Sequence, residues 1–411
     1  MDLTSPFNFT LSAMQLVYSS RGVIFAEKLQ KGDGLIANLP SPQELANNLS
    51  VGVKPAWQIS LQNGSNFITG DQTGVYTPTG WKLIKDLNYG DLVMQRLIFS
   101  PPSNKGGELI HYTSQLNTDA MPILVPKKMS VEMAKWLGVF IACGEFNHYD
   151  GRISVRLNNE ALINEYYQLT KKIFRISPLL LKDKRAGNRK LEHYFISQNI
   201  TKFLSQSVGR GTLQKIPTFL MSGSNEEHLA FIAGLSFNFS LYKKKNPIIY
   251  QGESKPISEF TALILRHNGY LISVHKDDYN NSEEQIRPDY YKTLVMGRHS
   301  KANVINGNLE LNKHLDLPIN VLVDVGLSID NNLKIPSYHP HYRAWMRLKK
   351  DRLKLCAWNV AESFGIDLSD NQYYFVPIKS IQLMPTVKQV TLKVLYPEGF
   401  LLNNTVLSGQ Y

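Results

Sequence analysis

Cysteine, long apolar runs and charged residues are all scarce in this 411-residue chain. Two cysteines, Cys143 and Cys356, cannot build a disulfide scaffold or a four-cysteine zinc site. No apolar run reaches the ~18 residues needed to cross a bilayer, and the start, MDLTSPFNFT, lacks the basic and apolar regions of a secretory signal. An intracellular protein of nucleus or organelle, not secreted and with no membrane partner, is therefore expected. Charged residues make up 19% and hydrophobic residues 43%, a balance that excludes wholesale disorder, collagen and coiled coil. What remains is a folded chain long enough for two domains, or for one split domain with an insert.

The charge present is unevenly spread. Of a net +11, residues 129–278 carry +7, residues 1–128 only +1 and residues 279–411 +3. An excess of positive charge speaks to partners rather than fold, and nucleic acid is the commonest polyanion that selects for it.

Residues 1–100 read as short β segments punctuated by turns, among them QLVYSSRGVIF, AWQISLQNGSNFITG, GVYTPTGWKLIKDL and GDLVMQRLIF. Asn63-Gly64 between apolar runs predicts a two-residue hairpin turn with positive φ at both positions. Around Pro101-Pro102 the pattern breaks, residues 101–128 read as a linker, and helical spacing begins at SVEMAKWLGVFIACGEF. From residue 373 the β character returns in YYFVPIKSIQL, KQVTLKVLY and GFLLNNTVL. The organisation expected is α+β: a discontinuous β domain from 1–100 and 373–411, interrupted by an α/β domain over 129–278. Within that insert, two halves of about 129–215 and 216–278 each open with a buried helix (136–146 and 230–240) followed by strand and helix. Gly138 and Ala142 on one helix and Ala233 and Gly234 on the other would let the two backbones approach closely. Residues 279–372 form a basic extension whose stretch from His341, with Arg343, Arg347, Lys350 and Lys354, reads as an amphipathic helix for DNA or partner contact.

The paired segments LGVFIACGE and FIAGLSFNF resemble the LAGLIDADG homing endonucleases. The flanks, with their L-x-x-G-D endings at Leu29–Asp33 and Leu87–Asp91 and the TPTGW turn, are similar to the intein (Hint) β fold. The order of β block, nuclease and β block is that of large inteins and of the mating-type-switching endonuclease of yeast. This resemblance implies a helix pair at a pseudo-twofold axis in a monomer, DNA in the groove of two curved sheets, and metal held by the last acidic residue of each helix.

The positions that would carry chemistry depart from both families. Splicing needs a nucleophile, a polarising histidine and a terminal His-Asn. Thr10 stands at the nucleophile, Thr69 and Gln72 at the T-x-x-H pattern, and Ser408 and Gly409 at the terminal pair. Glycine cannot cyclise, so splicing is expected to be absent. The resemblance aligns Cys143 and Asn238 with the two catalytic carboxylates. A soft thiol and a neutral amide suit magnesium poorly. Glu145 is the one neighbour that would offer a rescuing carboxylate.

DNA binding rests on other residues. Strand candidates are Arg152, Arg156 and Gln251; loop candidates are Lys182, Lys184, Arg185, Arg189, Lys190 and Lys243, Lys244 and Lys245. The reading that follows is a DNA-binding protein with no cofactor, derived from a homing nuclease and inactive in splicing and cleavage. Its alternatives are an active magnesium-dependent endonuclease, an RNA-binding role, and a structural part of a protein complex.

Overall fold

A computed structural model describes residues 7–35, 43–96, 123–157, 159–182, 191–238, 248–277, 289–295, 320–324, 353–357, 373–394, 400–402 and 405–408, with a few isolated positions between them. The N-terminal part supplies nine strands: β1 (Phe7–Ser12), β2 (Leu16–Ser19), β3 (Gly22–Phe25), β4 (Gly34–Leu35), β5 (Gln43–Leu61), β6 (Asn66–Thr69), β7 (Gly74–Thr77), β8 (Gly80–Leu83) and β9 (Leu92–Arg96). The insert follows with α1 (Val131–Cys143), β10 (Gly144–Phe146), β11 (Arg152–Leu157), α2 (Glu160–Phe174), β12 (Leu179–Lys182), β13 (Leu191–Ile196) and α3 (Gln198–Ser207). It continues with α4 (Thr218–Met221), α5 (Asn225–Leu235), β14 (Ile248–Gly252), α6 (Lys255–His267), β15 (Ile272–Asp277) and β16 (Tyr290–Val295). The remaining strands are β17 (Asn320–Asp324), β18 (Leu353–Ala357), β19 (Tyr373–Val394), β20 (Phe400–Leu402) and β21 (Thr405–Ser408).

The two chain ends build one large sheet, in the order β3-β2-β4-β5-β6-β1-β19-β9-β21-β7-β8. The single strand β19 spans both YYFVPIKSIQL and KQVTLKVLY and pairs with β1, β5 and β9. The two L-x-x-G-D endings are structurally equivalent. Each follows a hairpin and a 3₁₀ turn, and each aspartate ties its loop back to that hairpin. Asp33 accepts from both nitrogens of Arg21 (2.6 and 2.7 Å) and from the Gln30 amide. Asp91 accepts from Lys82 (2.6 Å) and the Asn88 amide. The Asn63-Gly64 turn is tighter on one side than the sequence predicts. Only Gly64 has positive φ (76°), and its N–H donates to the Leu61 carbonyl, so the loop is longer than the two-residue mirror turn.

The insert repeats itself. Its first sheet runs β10-β11-β13-β12 and its second β14-β16-β15, so β11, β13 and β12 correspond to β14, β16 and β15. Helices α2 and α6 lie between the corresponding strands, and all four long helices of the insert other than α5 begin on a serine or asparagine cap. Helix α5 begins on a full capping box of Ser224 and Glu227, which accounts for the acidic pair Glu226-Glu227 at its start.

Three expectations need correction here. The second sheet does not stop at residue 278, because β16 lies within the stretch read as an extension. The basic segment after His341 is not one helix: Leu353, Lys354 and Leu355 belong to β18, which pairs with β17, and β17 meets β19. The opening helices are also displaced from the segments expected, with α1 ending at Cys143 and α5 at Leu235, where a 3₁₀ turn takes over at Ser236–Asn238.

The insert and the β sheet share one apolar core. Tyr18 and Val23 of the β part pack into the cluster built on Trp136, Phe140, Tyr166, Phe203, Phe231 and Phe260. Tyr18 meets the rings of His267 (4.7 Å) and His228 (6.2 Å) edge-on. Arg266, buried at the end of α6, donates from one nitrogen to the carbonyls of Asn63 and Ile272. Asn63 in turn donates to Gln95, which bonds Ser65, Thr405 and Tyr374, all buried. The hairpin tip extends the second sheet, since the Val274 N–H donates to the Asn63 carbonyl (3.1 Å).

Candidate functional site

Helices α1 and α5 cross at two glycines. A Cβ on Gly138 would lie 2.0 Å from the Phe231 carbonyl oxygen and 2.8 Å from the Leu235 nitrogen. A Cβ on Gly234 would lie 2.1 Å from the Lys135 carbonyl oxygen and 2.7 Å from the Val139 nitrogen. Each glycine meets the residue three before, and the residue one after, its counterpart. The helices are therefore related by a twofold axis that carries residue 138 onto 234, an offset of 96 residues.

That offset corrects the expected site. The counterpart of Cys143 is Phe239 and not Asn238, which corresponds to Ala142. The flanking apolar pattern tolerates a shift of one residue, whereas the crossing glycines fix the register. Asn238 ends the 3₁₀ turn after α5, and residue 239 lies outside the described residues. A thiol and a phenyl ring thus stand in sequence at the two positions where the resemblance implies metal-binding carboxylates. Cys143 is half-buried against the core at the end of α1.

Glu145 does not replace them. It sits on β10 opposite Ser154 of β11, with its carboxylate 2.7 Å from the Arg156 guanidinium. Arg156 also bonds Glu192 (3.0 Å), which accepts from Arg152 (2.7 Å). Burial raises the Glu192 carboxyl, and the hydrogen bonds from Arg156 and Arg152 outweigh it, holding the group below the usual carboxylate range. The Arg152 guanidinium carbon lies over the Tyr194 ring, 4.3 Å from its centroid. The two arginines predicted as DNA contacts are thus held in a four-member ion network with two glutamates. The partner Glu192, 36 residues from Arg156, carried no signal in the sequence. Among the described residues no group of three His, Cys, Asp or Glu side chains could hold a metal ion. The residues present do not fit the magnesium that the family resemblance implies.

Of the other nucleic-acid candidates, Gln251 lies on β14 opposite Lys292 of β16, and His275 of β15 faces the same lysine from the other side. Lys292 lies on β16, outside the domain bounds expected from sequence, and His275 lies within them without a motif to mark it. Lys184, Arg185, Arg189, Lys190, Lys243, Lys244 and Lys245 lie outside the described residues, as does the side chain of Lys182, the last residue of β12.

The splicing positions do converge. Thr10, in the middle of β1, pairs with Thr391 of β19, and their hydroxyls are 3.3 Å apart. Thr69 Oγ1 donates to the Thr10 carbonyl at 2.6 Å, and the Gly70 N–H donates to it at 3.1 Å. Thr73 holds Thr69 from behind at 2.7 Å. Gln72 is exposed and reaches only its neighbour Asp71 (3.4 Å). Ser408 of β21 pairs with Gly74, so the C-terminal strand arrives beside this cluster, while Gly409 lies outside the described residues. Residues 7–9 before Thr10 are part of an unbroken ladder with β19, from Phe7 opposite Val394 onward.

No helix among the described residues is long and apolar enough to cross a membrane. No family model matches the sequence, and no curated protein matches it. Among solved structures the chain is similar to the homing endonuclease I-DmoI, at 18% identity over 43% of this chain and 92% of that one, with a TM-score of 0.31. It is similar also to the N-terminal LAGLIDADG domain of WhiA, at 13% identity over 45% of this chain and 86% of that one, with a TM-score of 0.32. A DnaB intein from Synechocystis sp. PCC 6803 is similar at 13% identity over 21% of this chain and 69% of that one, with a TM-score of 0.20. In fold the chain is α+β: one large β sheet made by its two ends, carrying a pseudo-symmetric α/β insert of two related halves.

Proposed function

We propose that this chain is a nucleic-acid-binding protein whose ligand is duplex DNA, and that it neither splices nor cleaves. One observation carries the reading. The reciprocal contacts of Gly138 and Gly234 support a helix pair like that of the homing nucleases, in which the positions that would hold metal are Cys143 and Phe239. Hard divalent cations need anionic oxygen, which neither residue has. The scaffold meanwhile keeps its excess of positive charge, +7 over residues 129–278. Loss of two carboxylates at the axis lessens repulsion of the phosphates that would lie there. The splicing centre is read the same way. The Thr69 and Gly70 donors remain, but the position of the catalytic histidine is an exposed glutamine and the terminal His-Asn is Ser408-Gly409.

The test is a salt titration of duplex binding beside a cleavage assay. Log K falling with log salt at a slope of about −6 or steeper, near −0.9 per neutralised phosphate, is the expected result. No slope refutes DNA binding, and tighter binding to structured RNA at matched salt moves the ligand class to RNA. Double-strand breaks in a plasmid library with magnesium or manganese restore the nuclease reading. Expression with foreign flanks, read by intact mass, tests splicing: any ligated product or scission after Gly409 overturns that part.

A further inference from the structure

Strands β1, β6, β5 and β19 close on one another, because β19 pairs with β1 on one side and with β5 on the other. The β5–β19 ladder shifts register at four places, and one of them carries prolines. Met384 pairs with Ala56 and Val387 with Lys54, leaving Pro385 and Thr386 opposite Pro55. A proline has no N–H to give a ladder, and two residues against one make a bulge, so a proline on each strand pries the two apart. Gln389 props the gap, donating to the carbonyls of Lys54 and Pro55 at 3.0 and 2.8 Å.

The result is a cleft of about 720 Å³ beside the Thr10–Thr69 cluster, lined by Lys54, Trp57, Gln72, Lys85, Leu383 and Thr391 among others. That volume is in the range of small-molecule sites, roughly 300–1,000 Å³. Its groups are of two kinds. Lys54, on β5, and Lys85, in the turn after β8, bring two ammonium groups to the lining against the single carboxylate of Asp71. Trp57 and the exposed Leu383, which pair across the two strands, supply an apolar part of the same lining. A ligand that satisfies both joins a dianion to a planar ring.

We propose that this cleft binds a nucleoside monophosphate unit, with the phosphate between Lys54 and Lys85 and the base against Trp57. Base-on-indole stacking and charge-assisted bonds to phosphate are the strongest contacts these side chains make. An acidic peptide satisfies the lysines but leaves the indole wall bare. The cleft lies on the β domain, and its occupancy is independent of duplex binding by the insert.

The experiment is a fluorescence titration of the full chain with UMP, AMP, a short oligo-dT, inorganic phosphate and hexaglutamate. Saturable quenching by the mononucleotides is expected, lost in Trp57→Phe, which isolates one of the five tryptophans. The Lys54→Ala/Lys85→Ala variant should bind at least about tenfold more weakly, with an unchanged melting curve because both side chains are exposed. Oligo-dT binding as tightly as UMP or tighter assigns the cleft to a strand end, and UMP binding alone assigns it to free nucleotide. Absence of saturation to about 10 mM, an affinity unchanged in the double lysine variant, or phosphate or hexaglutamate binding as tightly as UMP overturns the proposal. Duplex binding unaffected in the lysine variant keeps this outcome separate from the DNA-binding reading.

Discussion

Gly138 and Gly234 each stand where the other's helix backbone leaves no room for a side chain: the Cα atom of either lies 3.0 Å from where a Cβ on the other would be. The obstacle is backbone on both sides, so neither helix can yield without moving the sheet packed on it. Gly138→Ala and Gly234→Ala should each destabilise the chain by about 3 kcal/mol, the upper end of overpacking costs. Alanine at Gly80, where a Cβ meets nothing within 4 Å, controls for backbone strain alone. Melting temperatures that do not fall in Gly138→Ala and Gly234→Ala would contradict the crossing.

How far the sequence foretold this molecule depends on whether a residue's partner is near in the chain. Helices α2 and α6 and strands β11 and β14 follow from local periodicity, and the glycines that meet at the axis are visible as small residues in apolar runs. The pairing of residue 138 with 234 depends on a twofold crossing, and an apolar pattern tolerates a slip of one residue that the crossing does not. Lys354 read as helical because its neighbours alternate charge and leucine, while β17 is what makes that stretch a strand. The Glu192 partner of Arg152 and Arg156 comes from across the sheet, at a distance in sequence where no motif points.

The join between the two parts of the fold should behave as a single cooperative unit. Arg266 bridges the insert to the Asn63 turn from a fully buried position, and burial lowers its pKa to about 10. Arg266→Ala leaves the carbonyls of Asn63 and Ile272 without this donor and should cost roughly 3 kcal/mol, the cost of breaking a buried polar contact. Unfolding of the natural chain in urea is expected to show one transition by both fluorescence and circular dichroism. The variant should show two, since the buried guanidinium bridge between the parts is then gone.

Two buried histidines make that join sensitive to acid. Burial depresses His228 to about 4, and burial with the adjacent Arg266 depresses His267 to about 3. Both are neutral in the fold and take up protons more readily when unfolded. Their contribution is therefore complete above the unfolded pKa of about 6.5 and is lost as pH falls towards the folded values, with a slope of up to about 1.4 kcal/mol per pH unit for each. Stability measured by urea titration between pH 7 and pH 4 should fall with that slope, and less steeply in His267→Phe, where one titrating group is gone. A curve flat over this range would show that neither ring is buried in its neutral form.

The identity of the axis residues can be tested through metal rather than through DNA. Neither a thiol nor a phenyl ring binds magnesium, so magnesium or manganese at about 10 mM should leave the melting temperature of the natural chain unchanged, since a ligand that does not bind the folded state cannot raise its stability. One carboxylate restored at Cys143 still lacks its symmetry partner. Cys143→Asp alone should gain little, whereas Cys143→Asp with Phe239→Asp should gain a metal-dependent rise in melting temperature. Pairing Cys143→Asp with Asn238→Asp instead places the second acid one residue out of register with the crossing glycines. A metal response from the Asn238 pair and none from the Phe239 pair would overturn the 96-residue equivalence, and with it the argument that both ligands have been replaced by groups unable to bind metal.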